Sequence, residues 1–431
     1  MAAFFYLVVT FLGVLGAWIY APVKHNLSVL GVLDQKTGII HGVENRIIPD
    51  TIACEDLEYH APSGMLYTAC NGNIQTAAGW MPGAGSLEHP ETVSHGTIVV
   101  IDPQTFKSQK LSLKKFKGPF STHGIGLYTD PRDPKTVFIF AINHLPNPKW
   151  TPGSTTEEKA ASQVELFTHK IGSKTATHVR SIKHPLIRTP NDLIALSTNE
   201  FLITNDHRYR DGVWRLVEEF LVRPFTSWTD TVHVKFIGAG ADSTKGVEAS
   251  IALDSIETNN GLTWGPEKQV VIGDAVGGNI YFAELPASEG AKLNVTHRMS
   301  VECVVDNAAY FADPYAGLDG KDYSGYLLPG LSRGITFHGD YADPTGQVNI
   351  PGRVWYLPKA AGQVDAGLKS EDVRKLIFSD DGATARGPTT AILVAIDPAT
   401  NEGKREGWLY VTGVIAHHIL ATRIDFETVL A

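Results

Sequence analysis

The stretch Ile52-Ala53-Cys54-Glu55-Asp56-Leu57-Glu58-Tyr59 sets two carboxylates side by side inside an apolar, strand-type run. Related pairs recur far downstream: Asn191-Asp192 in Pro-Asn-Asp-Leu-Ile-Ala-Leu (190–196), Asn260 in Asn-Asn-Gly-Leu (259–262) and Asp306-Asn307 in Val-Val-Asp-Asn (304–307). Adjacent side chains on a strand project to opposite faces, so each doublet serves two neighbouring positions along one axis. Acid and carboxamide groups spaced this widely, each flanked by apolar residues, point to a hard cation held where several strands converge. Calcium takes about six to eight oxygen ligands, whereas zinc draws on His and Cys clusters that are absent from this pattern. Glu55, Asn191, Asn260, Asp306 and Asn307 form one oxygen set with coordination left open, and Asp56 and Asp192 hold a second, closed ion. Two Ca2+ ions are therefore expected, one catalytic and one structural.

Two further stretches, Ser-Thr-His-Gly-Ile-Gly (121–126) and Thr-Asn-Asp-His (204–207), interleave with these in order. Together the motifs resemble the paraoxonase/arylesterase family, from about Gly42 to about Asp425. The resemblance implies an all-β fold, a six-bladed β-propeller with two calcium ions in its central channel, that hydrolyses lactones and aryl esters. Carried over position by position, Glu55, Asn191, Asn260, Asp306 and Asn307 match the catalytic-calcium ligands. Asp56, Asp192 and the backbone carbonyl of Ile125 match the structural-calcium ligands, and His123 and His144 match the family's histidine dyad. The animal paraoxonases join their chain ends by a disulfide, but no cysteine lies near the carboxy terminus here, so ring closure is left to strand pairing.

Short β runs recur between turn signals at 96–103, 136–142, 200–204, 269–274, 279–283, 353–357 and 408–412, which is all-β patterning. No strict internal repeat counts the blades. Gly/Pro-rich or polar stretches at 76–95, 145–162, 308–335 and 360–388 read as long loops. One segment breaks the β pattern: Trp214, Val217, Phe220 and Leu221 fall at near-helical spacing, with Arg215, Glu218, Glu219 and Arg223 on the other side. That predicts a short amphipathic helix over the top face, either a lid on the rim or a membrane contact, and its acidic residues argue against lipid.

Net charge is −9 without a Lys/Arg run, which excludes a phosphate-backbone partner, so no nucleic acid is expected. Residues 2–23 carry no charge and are long enough for a membrane-spanning helix, while the basic start and small-residue cleavage site of a signal peptide are unclear. The expected organisation is a signal-anchor or signal peptide over 1–23, a stem over 24–41 and one propeller hydrolase domain over 42–431. This places the protein in the secretory pathway, either membrane-anchored through its N-terminal hydrophobic helix with a lumenal or extracellular propeller, or secreted. The sequons Asn26-Leu27-Ser28 and Asn294-Val295-Thr296 fit that route as glycosylation sites. Of three cysteines, Cys54 and Cys70 lie symmetrically about Pro62 in a strand-turn-strand reading, which makes them a disulfide pair across a hairpin. Cys303 is left over.

The expected chemistry is calcium-assisted hydrolysis of a small lactone or ester, the ion polarising the carbonyl oxygen. Water activation falls to His123, polarised by His144, or to Glu55 or Asp306 beside the ion. His417 and His418 are further candidates for the pocket wall. The strands do not alternate with helices as a serine esterase of the α/β-hydrolase type requires. The competing readings are a sugar-acid lactonase-type calcium propeller and a non-catalytic, calcium-stabilised scaffold.

Overall fold

The computed structural model describes residues 2–33, 38–154, 156–220, 225–238, 242–286, 292–301, 303–318, 320–363 and 367–431. For 2–5, 7–9, 11, 12 and 220 it describes the backbone alone. Leu221 and Arg223, expected on the amphipathic helix, lie outside the described residues.

The fold is all-β and propeller-like. Four-stranded antiparallel meanders follow one another along the chain, such as Pro190–Ser197, Glu200–Asn205, Thr229–Phe236 and Val247–Ile256, then Asn259–Trp264, Gln269–Asp274, Asn279–Glu284 and Asn294–Ser300. Among the described residues there are five sheets rather than six separate ones. The largest has eight strands because the meander that begins with Cys54–His60 and the one that begins with Pro388–Ala395 are fused. Their join is a single pairing, Cys54 with Gly413, reinforced by the Thr412 hydroxyl donating to the Cys54 carbonyl. The chain-terminal closure lies in the same sheet, where Glu44–Ile48 pairs antiparallel with Ile419–Asp425. The expectation that strand pairing closes the chain without a terminal disulfide agrees with this geometry.

The first strand of each meander faces the central channel. Cys54–His60, Thr122–Thr129, Pro190–Ser197, Asn259–Trp264, Ala309–Phe311 and Pro388–Ala395 pack against one another in that order, and the last returns to the first. Both faces of the sheets are covered, so the strands read as continuous apolar runs instead of alternating ones. Val270 and Ile272 pack with Ile194 and Leu202 of the preceding sheet, while Val271 between them packs with Tyr326 and Leu328 of the following one. Glycine permits the close approach of the inner strands: a Cβ on Gly124 would lie 2.6 Å from the Asn191 carbonyl.

All seven β runs read from the sequence are strands. Two of the expected loops are corrected. Residues 308–335 contain the strands Ala309–Phe311 and Gly325–Leu331, and 360–388 contains Lys375–Asp380. Their Gly and Pro content disguised strands buried on both faces. The first helix runs Ala2–Val29 through the expected boundary at residue 23, and its end docks on the body: His25 Nε2 bonds the Gly277 carbonyl at 2.8 Å, and Val29 and Leu30 are buried. Among the described residues, no helix is long and apolar enough to cross a membrane. Asn26 is 7% exposed, whereas Asn294 is exposed, so only the second sequon presents its amide to solvent.

Cys54 and Cys70 face each other across the hairpin and are bonded, with Cα atoms 4.0 Å apart. Cys303 is buried and takes no part in that bond. The bond closes a loop with a sequence separation of 16, and cross-links of about that span stabilise by about 3 kcal/mol, mainly through the unfolded chain. Replacing both cysteines by serine is expected to lower the unfolding free energy by about that amount in a denaturant titration. An unchanged midpoint and slope would show that the bond contributes nothing.

Candidate active site

The doublets predicted from sequence lie along the channel and divide between two cavities, with Asp56, Asp192 and Asn307 lining the second. Glu55, Asn191, Asn260 and Asp306 line a cavity of about 120 Å3 together with His123, Asp206 and His207. Each expected open-site ligand holds one side-chain oxygen without a hydrogen-bond partner: Glu55 Oε2 and the Oδ1 atoms of Asn191, Asn260, Asp306 and Asn307. Buried polar atoms are almost always paired, and leaving one unpaired costs about 1–3 kcal/mol. Four of these residues line one cavity, Asn307 is hydrogen-bonded to Glu55, and oxygens of this kind are ones a hard cation would accept as ligands. Burial and the Asp306, Asp56 and Asp192 carboxylates push the Glu55 carboxyl well above its usual range. Burial likewise raises Asp306, with Asp56 and Asp206 adding to it. A divalent cation would relieve both. Among the described residues, no group of three His, Cys, Asp or Glu side chains forms a cation site. The oxygen set here contains only two such residues, the rest being carboxamides.

Asp56 and Asp192 are placed differently. Asp56 accepts from the backbone N–H groups of Leu57 (2.7 Å) and Ile125 (2.9 Å). Asp192 accepts from Leu193 (2.7 Å) and Leu262 (2.7 Å). Each carboxylate thus bridges its own inner strand to the next one around the ring. Neither has an orphaned oxygen, and Ile125 contributes its N–H to Asp56.

His123 and His144 are in contact, Nδ1 to Nε2 at 2.9 Å, and His144 Nδ1 meets the Ser162 hydroxyl at 2.8 Å. Burial lowers the His123 imidazole to about 4, against the opposing pull of Asp206 and the Pro190 carbonyl. Burial lowers His144 further still, helped by His123. Both rings are therefore neutral near pH 7. One consistent hydrogen arrangement runs from His123 Nδ1–H to His144 Nε2 and from His144 Nδ1–H to Ser162. It leaves the His123 Nε2 lone pair on the cavity side, 3.8 Å from Glu55 Oε1. Gly83 makes room for the ring, since a Cβ there would lie 2.5 Å from His123 Cε1. His417 and His418 do not line the cavity; His417 bonds the Gly346 carbonyl instead.

A second charged group on the cavity wall was legible in sequence only as part of the 204–207 motif. His207 lies 3.0 Å from Asp206 and 3.2 Å from Glu219, although neither ring nitrogen is aligned for a hydrogen bond. Glu219 also pairs with Arg215 (2.8 Å) and His338 (2.9 Å). Arg215 and Glu219 come from the helix Val213–Phe220, which reverses the expected orientation. Arg215, Glu218 and Glu219 are buried, while Val213, Trp214 (55%) and Leu216 are exposed. The charged face points inward because partners wait there: Arg215 donates to the Pro82 and Gly83 carbonyls, and Glu218 accepts from the Arg208 and Tyr209 N–H groups. The acidic residues are thus no argument against lipid contact. Val217 is half-buried, and the Phe220 side chain is outside the described residues.

The motif order, the ring of inner strands and the five orphaned oxygens are joined by a family-level match: the arylesterase family model covers residues 76–317. The chain belongs to the arylesterase family. It is 28% identical over 234 residues to serum paraoxonase/arylesterase 2 of Gallus gallus, covering 52% of this chain and 55% of that one. It is 26% identical over 290 residues to serum paraoxonase/lactonase 3 of Oryctolagus cuniculus, covering 66% and 67%. The first of these matches spans about half the relative's length. Among solved structures, it is similar to a luciferin-regenerating enzyme with a TM-score of 0.45 and 10% identity, covering 90% of this chain and 97% of that one.

The His207 pair predicts a pH dependence of stability. Burial and Arg215 pull the imidazole down, but Asp206 and Glu219 outweigh them and raise it from 6.5 to about 9. A folded value above the unfolded one gives stability that is complete below about pH 6.5 and is lost as pH rises through about 9. His207→Gln is expected to flatten the decline over that interval by about 3 kcal/mol in chemical denaturation. Parallel wild-type and variant profiles would show that the pair is not charged.

Proposed function

We propose that this arylesterase-family protein is a calcium-dependent hydrolase of aryl esters and lactones on a six-bladed propeller. The observation that carries the reading is the set of five orphaned oxygens on Glu55, Asn191, Asn260, Asp306 and Asn307, the first four of these residues lining the cavity. Their chemistry fits calcium, which when bound supplies a Lewis acid for a carbonyl oxygen. Asp56 and Asp192 are the residues available to a second ion. The blade count is supported by the closed order of six inner strands, and dividing the largest sheet at its single Cys54–Gly413 pairing yields six units.

The chain's own residues divide the remaining work. Leu30, Val276, Val304, Leu331, Phe337 and Val414 line the cavity and suit an apolar acyl or aryl group better than a sugar acid. His123, neutral and linked to His144, has its Nε2 free to take a proton from water. Asn307 Nδ2 donates to Glu55 Oε1 at 2.7 Å and fixes that carboxylate. The scaffold reading gives no reason for orphaned oxygens that open onto an apolar-walled cavity.

Glu55→Gln and Asp306→Asn remove ligand charge with little change in volume, and each is expected to lower turnover of an aryl ester by about 100-fold or more. Exhaustive chelation is expected to abolish turnover and lower the thermal midpoint, both restored by calcium. His123→Gln is expected to lower turnover while leaving the calcium-dependent shift in midpoint intact. Full activity in Glu55→Gln, or absence of calcium by elemental analysis with no effect of chelation, would refute the reading.

Membrane association belongs to the same proposal. The outward face of the helix Val213–Phe220 exposes Val213, Trp214 and Leu216, and Phe225, also exposed, meets Trp18 of the first helix with ring centroids 5.9 Å apart. Interfacial helices bind lipid through such a face. Route through the secretory pathway, anchored or secreted, follows as the matching localisation. Trp214→Ser with Leu216→Ser is expected to weaken co-sedimentation with phosphatidylcholine vesicles several-fold without changing the thermal midpoint. Unchanged sedimentation would exclude this face as the contact.

A further inference from the structure

The first helix changes character at its end. Trp18 and Tyr20 are exposed, whereas Asn26, Val29 and Leu30 are buried against the body. The docked end is fastened on two sides. On one, His25 holds the Gly277 carbonyl and Val29 packs on Gly278, where an added Cβ would lie 2.3 Å from Val29 Cγ2. On the other, the Leu30 carbonyl accepts from the Ile335 N–H at 3.1 Å. Gly31, with φ at +73°, comes so close to Ser332 that a Cβ there would lie 2.1 Å from its carbonyl oxygen.

Both fastening points adjoin walls of the candidate active site. Ala275 and Val276 line the cavity immediately before Gly277, and Leu331 and Gly334 line it on either side of Ser332. The two walls belong to different sheets: residues 275–278 join Gln269–Asp274 to Asn279–Glu284, while 332–335 follow Gly325–Leu331. Leu30 bridges them and lines the cavity itself. Its Cδ2 would be 3.5 Å from a Cβ on Gly334, and Val304 Cγ2 would be 2.6 Å from the same point, so Leu30 and Val304 meet at one stretch of apolar wall. Leucine offers neither a ligand atom nor a proton, so what it sets is shape. In an apolar pocket a single methylene changes selectivity by roughly 10- to 200-fold.

We propose that Leu30 is a specificity-determining residue of the candidate active site: held in place by the docked end of the first helix, it sets the size of the apolar group that the cavity admits. The inference rests on the hydrolase reading for the reaction, but not for binding. The helix is accordingly part of the cavity as well as a candidate anchor.

The test uses the full chain in excess calcium and two readouts. The first is the ratio of kcat/KM for 2-naphthyl acetate to that for phenyl acetate. Leu30→Trp fills the wall and is expected to lower this ratio at least about tenfold, whereas Leu30→Ala is expected to raise it at least about threefold. Leu33→Trp, at an exposed side chain of the same segment that does not line the cavity, is expected to leave it unchanged. The second readout needs no turnover: 2-naphthol is titrated by its own fluorescence, and Leu30→Trp is expected to weaken its binding at least about fivefold. Leu30→Ala keeps both readouts decisive if Leu30→Trp does not fold. A ratio indifferent to both Leu30 variants, or shifted as much by Leu33→Trp, would overturn the proposal. If wild-type protein turns over neither ester, the hydrolase reading fails and binding decides: no saturable binding of 2-naphthol, or equal affinity in wild type and both Leu30 variants, would overturn the proposal as well.

Discussion

Four carboxyl groups, Glu55, Asp56, Asp192 and Asp306, are gathered at the centre of a ring of strands where water is largely excluded. Burial raises all of them, and repulsion from neighbouring carboxylates adds to it at Glu55, Asp192 and Asp306. Everything around the channel answers that constraint in one of two ways. Asp56 and Asp192 are satisfied by backbone N–H groups of the neighbouring strands, so their charge ties Cys54–His60 to Thr122–Thr129 and Pro190–Ser197 to Asn259–Trp264. Glu55 and Asp306 keep unsatisfied oxygens and share them with three carboxamides. The first solution holds the ring together, and the second leaves a site that a cation completes.

The same physics organises the rim. Arg215 reaches the Pro82 and Gly83 carbonyls, and Gly83 packs against His123, so the helix Val213–Phe220 is fastened to the wall beside the histidine pair by charged groups. An inward-facing ionic cluster of Arg215, Glu219, His207 and Asp206 leaves the apolar side chains of that helix outside. The helix is consequently inverted relative to a helix on an ordinary core, with its tryptophan and leucine exposed.

Much of the fold was legible because strand signals are local: the seven apolar runs bounded by turn residues all became strands. Where Gly and Pro lay within buried strands, as in Gly325–Leu331, the same local rules pointed to loop, since inner and middle strands packed on both faces do not alternate. Glu55, Asn191, Asn260 and Asp306 were recoverable as one set because each doublet carries chemistry that a plain strand has no use for. His338 was not recoverable, since nothing in its local sequence separates it from a surface histidine; it joins the cluster only through the approach of Phe337–Tyr341 to Glu219.

By itself, the sequence determined the all-β class and the hairpin disulfide between Cys54 and Cys70, because strand period and side-chain chemistry are properties of short segments. Tertiary structure alone decided which acids are saturated by neighbouring backbone and which keep free oxygens, because that depends on where the next inner strand presents its N–H groups. It also decided the inward turn of Arg215 and Glu219. Helical periodicity separates two faces, but only the partners waiting on the body determine which of them is buried.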